Sequence, residues 1–274
     1  MNISHLLHLR LHPWKTLLSF LVFSLVVYGG FIEPRWIEVA RSQRNLGLSG
    51  KAFTIAQISD LHINTLGPTE QKTLERLKTL QPNLILLTGD VIDSQNSLPI
   101  LREFLSKLPP SIKVAILGNW EHWSGVDLKA LAALYADYDV KLLINQCLSL
   151  RSFGLPLSIV GFDDYTAGQP EVGRSFKDCG TKEPIIIVEH SPGLFEETPS
   201  IDTKNIAFSL AGHTHGGQIA VGNHALITPP GSGKFVAGWY KTLWGDLHVS
   251  KGVGTSVLPL RIGARPEISF FEIN

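Results

Sequence analysis

The chain has 274 residues, of which 44% are hydrophobic and 18% are charged, and its 24 lysines and arginines balance 24 aspartates and glutamates. This balance excludes a strongly basic nucleic-acid-binding protein and an acidic disordered tail, and the hydrophobic fraction is sufficient for a folded core. The two cysteines, Cys147 and Cys179, are too few for a disulfide framework or a cysteine zinc site, and we interpret them as free thiols.

The N-terminus carries an uncharged apolar stretch. No charged side chain occurs in residues 16–32, and Trp14 and Trp36 flank this stretch, as aromatic side chains do at membrane interfaces. The length is at the short end of what spans a bilayer. A signal peptide is the main alternative, but no small-residue cleavage site follows the stretch. We therefore predict a membrane anchor and linker over residues 1–50 and a folded domain over residues 51–274.

Positive charges flank the apolar stretch on both sides. Arg10 and Lys15 precede it, and Arg35, Arg41 and Arg44 follow it. By the positive-inside rule, the excess on the C-terminal side slightly favours a cytoplasmic folded domain on a single-pass membrane protein. This prediction depends on a difference of one charge.

Short apolar runs rich in β-branched residues follow residue 50, and each run ends at a polar residue that can bind a metal. The runs cover residues 52–59, 83–88, 113–117, 184–188 and 206–211. Runs this short and apolar indicate strands that are buried on both faces. Helical patterns at residues 69–80 and 127–136 alternate with the early strands. The sequence therefore predicts an α/β sheet, whose functional groups gather at the carboxyl ends of the strands.

The C-terminal half of the chain predicts a second sheet. Further strand patterns at residues 157–162, 247–250 and 267–273 indicate a sandwich covered by helices. Residues 228–245 are rich in proline and glycine and are predicted to form a loop. An apolar cluster on this loop is interpreted either as a lipid-facing lid or as ordinary packing, and it comprises Trp239, Tyr240, Leu243 and Trp244.

Seven side chains at the predicted strand ends form a candidate ligand set. They supply three oxygen donors and four imidazoles: Asp60, His62, Asp90, Asn119, His190, His213 and His215. Mixed carboxylate and imidazole ligands suit Mn, Fe, Co, Ni or Zn rather than calcium. Seven ligands are too many for one tetrahedral ion, but they fit two ions about 3.5–4 Å apart that share a bridging carboxylate. We therefore predict two divalent metal ions, of which Mn, Fe or Zn are favoured.

The order of these motifs resembles the calcineurin-like metallophosphoesterases, and in particular their membrane-associated bacterial branch. The motifs are Asp60-Leu61-His62, Gly89-Asp90, Gly118-Asn119-Trp120-Glu121, His190 and Gly212-His213-Thr214-His215. The resemblance extends from about Phe53 to the C-terminus. It implies a four-layer α/β/β/α sandwich at the bacterial inner membrane. It also implies hydrolysis of a phosphodiester or pyrophosphate bond, in a small molecule or a lipid, by a hydroxide shared between two metal ions.

The resemblance also implies a role for each ligand. One set, Asp60, His62 and His215, holds the first ion. A second set, Asn119, His190 and His213, holds the other ion, and Asp90 bridges the two. Asp90 and Asn119 are therefore expected to be catalytic as well as metal-binding. Imidazole ligands need partners that fix their tautomers, and Glu189 and Asp93 are candidates for this role.

One position departs from the family motif. The histidine that normally follows the asparagine, and protonates the leaving group, is replaced by Trp120, whose indole cannot donate a proton in that role. Three interpretations stay open: His122 acts as the acid, another group or a water does so, or the leaving group needs no acid. The third fits a pyrophosphate substrate. A related branch that cleaves UDP-2,3-diacylglucosamine in lipid A synthesis also lacks this histidine.

Aromatic side chains near the motif bear on the substrate. Trp120 and Trp123 are interpreted either as contacts for the acyl chains of a lipid or as part of a hydrophobic wall. Lys234 and Arg261 are interpreted either as contacts for a substrate phosphate or, as we favour, as solvated surface residues. A general phosphomonoesterase and a non-catalytic scaffold on the same fold are the alternative functions. Metal analysis distinguishes the scaffold from the enzyme.

Overall fold

The computed structural model describes residues 12–48, 52–177, 179–180, 183–198, 205–221 and 224–274. Arg10, one of the flanking charges counted above, lies outside the described residues. The strands are β1 Glu38–Arg44, β2 Phe53–Ile58, β3 Leu84–Thr88, β4 Ile112–Ile116, β5 Val140–Leu142, β6 Gln146–Ser149, β7 Ser158–Gly161, β8 Ile185–Val188, β9 Ile206–Ala211, β10 Ala220–Val221, β11 His224–Ala225, β12 Gly238–Thr242, β13 Gly245–Val249 and β14 Glu267–Ile273. The α-helices are α1 Pro13–Val27, α2 Pro68–Leu80, α3 Leu98–Ser106, α4 Asn119–Trp123, α5 Leu128–Asp137, α6 Val172–Ser175 and α7 Leu194–Glu197.

The first sheet has the strand order β1-β14-β2-β3-β4-β5. Strands β2 to β5 are parallel, β14 is antiparallel to β2, and β1 is parallel to β14. Helices α2 and α3 connect β2 to β3 and β3 to β4, as parallel neighbours require a crossover connection. The carboxyl ends of β2, β3 and β4 therefore lie at one edge of the sheet.

The second sheet has the strand order β12-β13-β9-β8-β7-β6. Its four central strands are parallel, and the edge strands β12 and β6 are antiparallel to their neighbours. The residues that follow β8 and β9 therefore emerge at the same edge of this sheet, as do those that follow β13.

The two sheets pack face to face and helices cover their outer faces, which confirms the predicted four-layer sandwich. One buried cluster lies between the sheets and includes Ile55, Leu86 and Ile186. The alternate residues Ala56 and Ile85 point to the other face, where they pack with side chains of α2, α3 and α5. A third buried cluster lies on the outer face of the second sheet, where side chains of the short helix α7 pack against the strands. Both faces of the central strands are buried, as their continuous apolar runs predict.

The N-terminal helix α1 lacks cover from the rest of the described protein over Pro13–Val27. The helical segment runs from Pro13 to Arg35, and 18 consecutive residues within it have a mean hydropathy of 1.8, so it is long and apolar enough to cross a membrane. No residue of α1 is buried, and Phe20 and Phe23 are 65% and 67% exposed. An exposed apolar helix near the N-terminus has the length and composition of a membrane span or of a signal sequence.

Strand β1 changes the predicted domain boundary. The prediction assigned residues 1–50 to an anchor and linker, but Glu38–Arg44 pairs residue by residue with β14 in the first sheet. Ile37 is buried in the core. The polar sequence of β1 has no apolar run, so its strand character depends on a partner more than 200 residues away. The folded domain therefore begins directly after the N-terminal helix.

Two further sequence-based interpretations need correction. Residues 228–245 are not all loop, because Gly238–Thr242 forms β12. The apolar cluster in this region is mostly packing, since Trp244 is buried and its indole N–H donates to the Thr198 carbonyl at 3.0 Å.

The prediction of free thiols is wrong. Cys147 and Cys179 form a disulfide with Cα atoms 5.4 Å apart, because β6 lies beside the segment that follows α6.

Candidate metal centre

The seven predicted ligands follow the carboxyl ends of five strands, and both sheets contribute. Asp60 and His62 follow β2, Asp90 follows β3, Asn119 follows β4, His190 follows β8, and His213 and His215 follow β9. Five of the seven have left-handed backbones with φ between 46° and 72°: Asp60, His62, Asp90, His213 and His215. A non-glycine residue held in this region costs on the order of 1–3 kcal/mol, and such residues concentrate at functional sites. The tight turns direct all these side chains into one buried space.

The first ligand cluster contains Asp60, His62 and His215, whose ligand atoms lie within 4.8 Å of one another. His62 Nε2 is 3.1 Å from His215 Nε2, and His215 Nε2 is 3.5 Å from Asp60 Oδ1. Two ligand atoms bound at about 2.0–2.2 Å to one cation are themselves about 3.0–3.5 Å apart. The spacing of this cluster therefore fits a single ion.

The second cluster contains Asp90, His190 and His213. Asp90 Oδ2 is 3.0 Å from His190 Nε2 and 3.8 Å from His62 Nε2, so it lies between the two clusters. Asn119 Oδ1 is 2.8 Å from His213 Nδ1. The structure thus brings all seven predicted ligands together and puts Asp90 at the junction.

Hydrogen bonds fix the tautomers of two histidines so that an unprotonated nitrogen faces the centre. His190 Nδ1 contacts the Thr88 carbonyl at 2.8 Å, and His213 Nε2 contacts the Pro230 carbonyl at 2.8 Å. A carbonyl only accepts, so these nitrogens carry the proton in the neutral rings. The buried Nε2 of His190 faces the Asp90 carboxylate at 3.0 Å without the angular geometry of a hydrogen bond. A buried lone pair that faces a carboxylate fits a cation between them.

The charges around the centre shift the pKa values of its histidines in opposite directions. Burial lowers the pKa of His190, but the carboxylates of Asp90 and Asp60 outweigh burial and raise it well above its usual value. Burial also raises the pKa of Asp90, yet His190 and His62 bring it down to about 2. The pKa of His215 is well below normal because of burial and the charge of His62. A bound cation would take the place of the extra proton on the imidazole of His190, and it would meet an already neutral imidazole at His215.

The donor set and its spacing agree with one family of proteins. The family model for calcineurin-like phosphoesterases matches residues 53–217. The chain belongs to the calcineurin-like phosphoesterase family. Enzymes of this family use two divalent metal ions, and the two ligand clusters correspond to that pair. The protein is therefore a metal-dependent hydrolase of phosphoric ester bonds.

Similar proteins occur in bacteria and in animals. This phosphoesterase is 30% identical over 266 residues to the uncharacterized metallophosphoesterase YkuE of Bacillus subtilis, with 90% of this chain and 88% of YkuE covered. It is 28% identical over 243 residues to the transmembrane protein with metallophosphoesterase domain of Bos taurus, with 81% and 53% covered. The solved structure of TT1561 from Thermus thermophilus matches with a TM-score of 0.46 and 11% identity, covering 74% of this chain and 91% of TT1561.

Glu121 is a buried residue of the phosphoesterase site to which the sequence analysis gave no role. Its carboxylate accepts backbone N–H bonds from Gly118 at 2.7 Å, Asp90 at 2.9 Å, Val91 at 2.6 Å and Ile92 at 3.3 Å. Burial and the charge of Asp90 raise the pKa of Glu121. The four N–H groups offset this cost and fix the turn that carries Asp90. The sequence feature that could have pointed to this role is the position of Glu121, two residues after the ligand Asn119.

Arg261 is also buried, although the sequence suggested a surface position. Its guanidinium donates to the carbonyls of His215, Gly254 and Ala264 at 3.2, 2.8 and 2.8 Å. Its Nη2 lies 3.3 Å from His215 Nδ1. Arg261 therefore ties the C-terminal segment to the ligand loop after β9. The sequence offers no signal for this contact, since the two loops are far apart along the chain.

The predicted histidine partners behave differently from each other. Asp93 Oδ1 lies 2.5 Å from His62 Nδ1, so this carboxylate orients a ligand ring. Glu189 instead accepts from the backbone N–H groups of Tyr165 at 2.8 Å and Ser191 at 3.1 Å, and it orients no ligand ring of the described site. Burial and the charge of Asp164 raise the pKa of Glu189 well above normal.

The structure does not bring His122 to the catalytic cleft, so its predicted role as the acid needs correction. His122 Nε2 is 2.8 Å from Asp163 Oδ1, and both residues line a separate depression. Neighbours two apart on a helix face different directions, so α4 presents Trp120 and not His122 to the ligands. The backbone N–H of Trp120 donates to Asp90 Oδ1 at 2.8 Å, and the indole ring contacts the His62 ring edge-on.

A cleft of about 500 Å³ opens above the ligands. Its floor includes Asp90, Asn119, His213 and His215, and its walls are mainly apolar. The wall residues include Trp120, Trp123, Ile219, Leu226, Ile227, Pro229, Val257 and Leu258. Apart from the ligands, the described lining contains no acidic or basic side chain. The cleft thus joins a polar floor to apolar walls.

Proposed function

We propose that this protein is a membrane-anchored phosphoesterase that cleaves a pyrophosphate or phosphodiester bond of a lipid-linked substrate. The observation that carries the proposal is the pair of ligand clusters joined at Asp90 beneath an apolar cleft. A soluble phosphomonoester would leave most of this apolar wall without a partner. All seven ligands are present, which disfavours a non-catalytic scaffold.

The ligand geometry supports a division of roles between the two ions. We assign Asp60, His62 and His215 to the first ion. Asn119, His190 and His213 are assigned to the second, and Asp90 is assigned to both. Mn²⁺, Fe²⁺ and Zn²⁺ suit this mixed set of donors. When bound, such ions lower the pKa of a coordinated water and stabilise negative charge on phosphoryl oxygens.

The protein's own residues position the ligands and exclude water. Asp93 and the Thr88 carbonyl hold the rings of His62 and His190 in their orientations, and Glu121 holds the Asp90 turn. The indole of Trp120 stands where the family motif has a histidine, beside the ring of His62. It shields the ligands and offers an apolar surface to the substrate.

The lack of an acid in the described lining bears on the leaving group. An alkoxide needs a proton to leave, whereas a phosphate released from a pyrophosphate leaves as a stable anion. The cleft lining described above offers no histidine, carboxylic acid, lysine or tyrosine outside the ligand set. We therefore favour a pyrophosphate, or a diester with an acidic leaving group, as the bond that is cleaved.

The leaving-group proposal has a direct test. The full chain in detergent with added Mn²⁺ is assayed against aryl phosphodiesters of graded leaving-group pKa. We expect kcat/KM to fall steeply as the leaving-group pKa rises. In Trp120→His, where an imidazole is restored, the slope should become shallower. An equally shallow slope in the wild type would show that some group already donates the proton.

The metal assignment has an independent readout. Asp90→Asn should abolish hydrolysis and lower the metal content measured by elemental analysis from about two ions per chain. The matched control is Asp137→Asn, an exposed aspartate on α5 that pairs with Arg102 at the surface. It should keep both activity and metal. Full activity in Asp90→Asn would contradict the bridging role.

The structure also bears on the side of the membrane. Arg41 pairs with Glu272 at 3.0 Å and Arg44 with Asp246 at 3.1 Å, so both arginines belong to the folded domain and their charges are neutralised. Of the three flanking arginines on the C-terminal side, Arg35 then remains. The disulfide is typical of oxidising compartments.

We propose that the catalytic domain lies on the extracytoplasmic face, opposite to the side that the charge count favours. A C-terminal epitope tag on the full chain should be removed by protease added to intact spheroplasts. Protection of the tag until the membrane is permeabilised would place the domain in the cytoplasm.

A further inference from the structure

Four apolar side chains at the mouth of the cleft are exposed, and we call them the apolar rim. They are Leu226, Ile227, Val257 and Leu258, with exposed fractions of 66%, 80%, 90% and 51%. All four line the same cleft as the metal ligands. Exposed apolar side chains are ordinary when they are scattered, but a contiguous group indicates a surface that is covered by a partner.

The backbone holds the rim outward. Val257 has φ of 58°, an outlier for a β-branched residue that costs on the order of 1–3 kcal/mol. The side chain of Gln218 fixes this turn, because it accepts from the Ser256 N–H at 3.0 Å and donates to the Leu258 carbonyl at 2.7 Å. The rim is therefore presented by a fixed turn and does not fold back onto the core.

The rim is continuous with the N-terminal helix. The Arg261 N–H donates to the Gly29 carbonyl at 2.8 Å. A Cβ on Gly29 would come within 2.7 Å of the Ile262 side chain, so the helix and this segment are in close contact. Leu258 is three residues before Arg261, so their Cα atoms are at most about 11 Å apart. The rim therefore lies close to the end of the apolar helix.

Residues typical of a membrane interface mark that end of the helix. Trp36 is 50% exposed, and the guanidinium of Arg265 lies 3.8 Å from the centre of its indole ring. Tryptophan and arginine favour the headgroup zone. This zone is about 5–8 Å thick on each side of the hydrocarbon core, and the distance from Leu258 to the helix contact is at most slightly larger, about 11 Å.

We propose that the apolar rim inserts into the bilayer leaflet at the C-terminal end of the N-terminal helix, so that the catalytic cleft opens onto the lipid headgroups. The cleft then receives a lipid whose phosphorus lies at headgroup depth, directly from the plane of the membrane. The proposal that the rim inserts into the bilayer rests on the exposure of the rim and on its continuity with the N-terminal helix. The identity of the substrate as a lipid phosphoester rests on the proposed function.

The docking is tested with the full chain in phosphatidylcholine vesicles. A nitrobenzoxadiazole fluorophore is attached to Ile227→Cys and, separately, to Val257→Cys, since the native cysteines are paired and unreactive. The matched control is Leu243→Cys. Leu243 is 79% exposed and precedes β13, at the edge of the sheet opposite the ligands. Lipids brominated on their acyl chains should quench both rim probes and leave the probe at 243 unchanged.

The pattern of quenching shows whether the apolar rim inserts into the bilayer. Rim probes as unquenched as the control would overturn the proposal, and so would equal quenching at all three positions. A blue shift at the rim without quenching by lipid would assign the rim to a protein partner or a second copy of the chain, and would also overturn it. Two separate rim positions guard against the failure of one labelled variant to fold.

A kinetic ratio tests the consequence for the substrate. In the double variant Ile227→Asp/Val257→Asp, the rate on a vesicle-embedded lipid pyrophosphate divided by the rate on a soluble aryl phosphodiester should fall at least tenfold. Leu243→Asp should keep the wild-type ratio. An unchanged ratio in the double variant overturns the docking. A wild-type enzyme that hydrolyses neither substrate with metal present would instead refute the proposed function.

Discussion

The substitution Glu121→Gln tests how the site is held together. Each carboxylate oxygen of Glu121 accepts two backbone N–H groups: Oε1 those of Val91 and Ile92, and Oε2 those of Asp90 and Gly118. Glutamine has the same shape, but one of its terminal atoms is an NH₂ group. Whichever way the amide turns, two buried N–H donors face another donor.

The magnitude follows from those two lost bonds. A buried donor left without a partner costs about 1–3 kcal/mol, so the free energy of unfolding should fall by about 2–6 kcal/mol. For a protein of this size, a loss near the middle of that range lowers Tm by roughly 8–16 °C. The turn that carries Asp90 also loosens, so metal affinity should fall by about 10–100-fold.

The assay is thermal unfolding of the full chain in detergent, followed by a metal titration. The matched control is Glu272→Gln, a partly exposed glutamate that accepts from the exposed Arg41 at 3.0 Å and from Gln43 at 3.1 Å. An exposed pair contributes less than about 1 kcal/mol, so this variant should unfold almost like the wild type. If Glu121→Gln did the same and kept its metal affinity, the reasoning about the Asp90 turn would be refuted.

Three more outcomes are expected. His122→Ala should change kcat by less than about twofold, and a loss beyond tenfold would return His122 to the catalytic site. Cys147→Ser opens a crosslink between residues 32 apart and should lower the free energy of unfolding by about 4 kcal/mol, whereas an unchanged Tm under non-reducing conditions would argue against the disulfide. Burial and the charges of Arg44 and Lys251 lower the pKa of His248 to about 3. Protonation therefore favours the unfolded chain, and stability should fall as pH drops below about 6.5 and level off near 3. Between pH 7 and pH 5 the loss is about 2 kcal/mol, and it should be absent in His248→Gln but present in a variant of the exposed His224.

The strands that precede the ligands could be predicted from sequence because their signal is local. The apolar runs at 83–88 and 206–211 correspond to β3 and β9 within one residue, since a strand buried on both faces is continuously apolar. The helix predicted at 127–136 forms with Asp127 as its N-cap, which accepts from the Lys129 N–H at 2.9 Å. Parallel order then brings the strand ends to one edge.

Features that depend on distant partners could not be predicted in this way. Strand β1 is polar and exists because β14 pairs with it. The disulfide joins two segments whose proximity depends on the edge of the second sheet. His122 follows the asparagine motif closely, yet α4 turns it toward Asp163. In each case the deciding contact involves residues well separated along the chain.

The sequence by itself determined which side chains gather at the metal centre, because each ligand follows a buried apolar strand within a few residues along the chain. Only the tertiary structure decided what surrounds that centre. Glu121 and Arg261 act through backbone groups of other loops, and Val257 reaches the cleft through a turn fixed by Gln218. Such contacts arise only when separate loops meet, because backbone donors and acceptors are present at almost every residue and therefore leave no mark in the sequence.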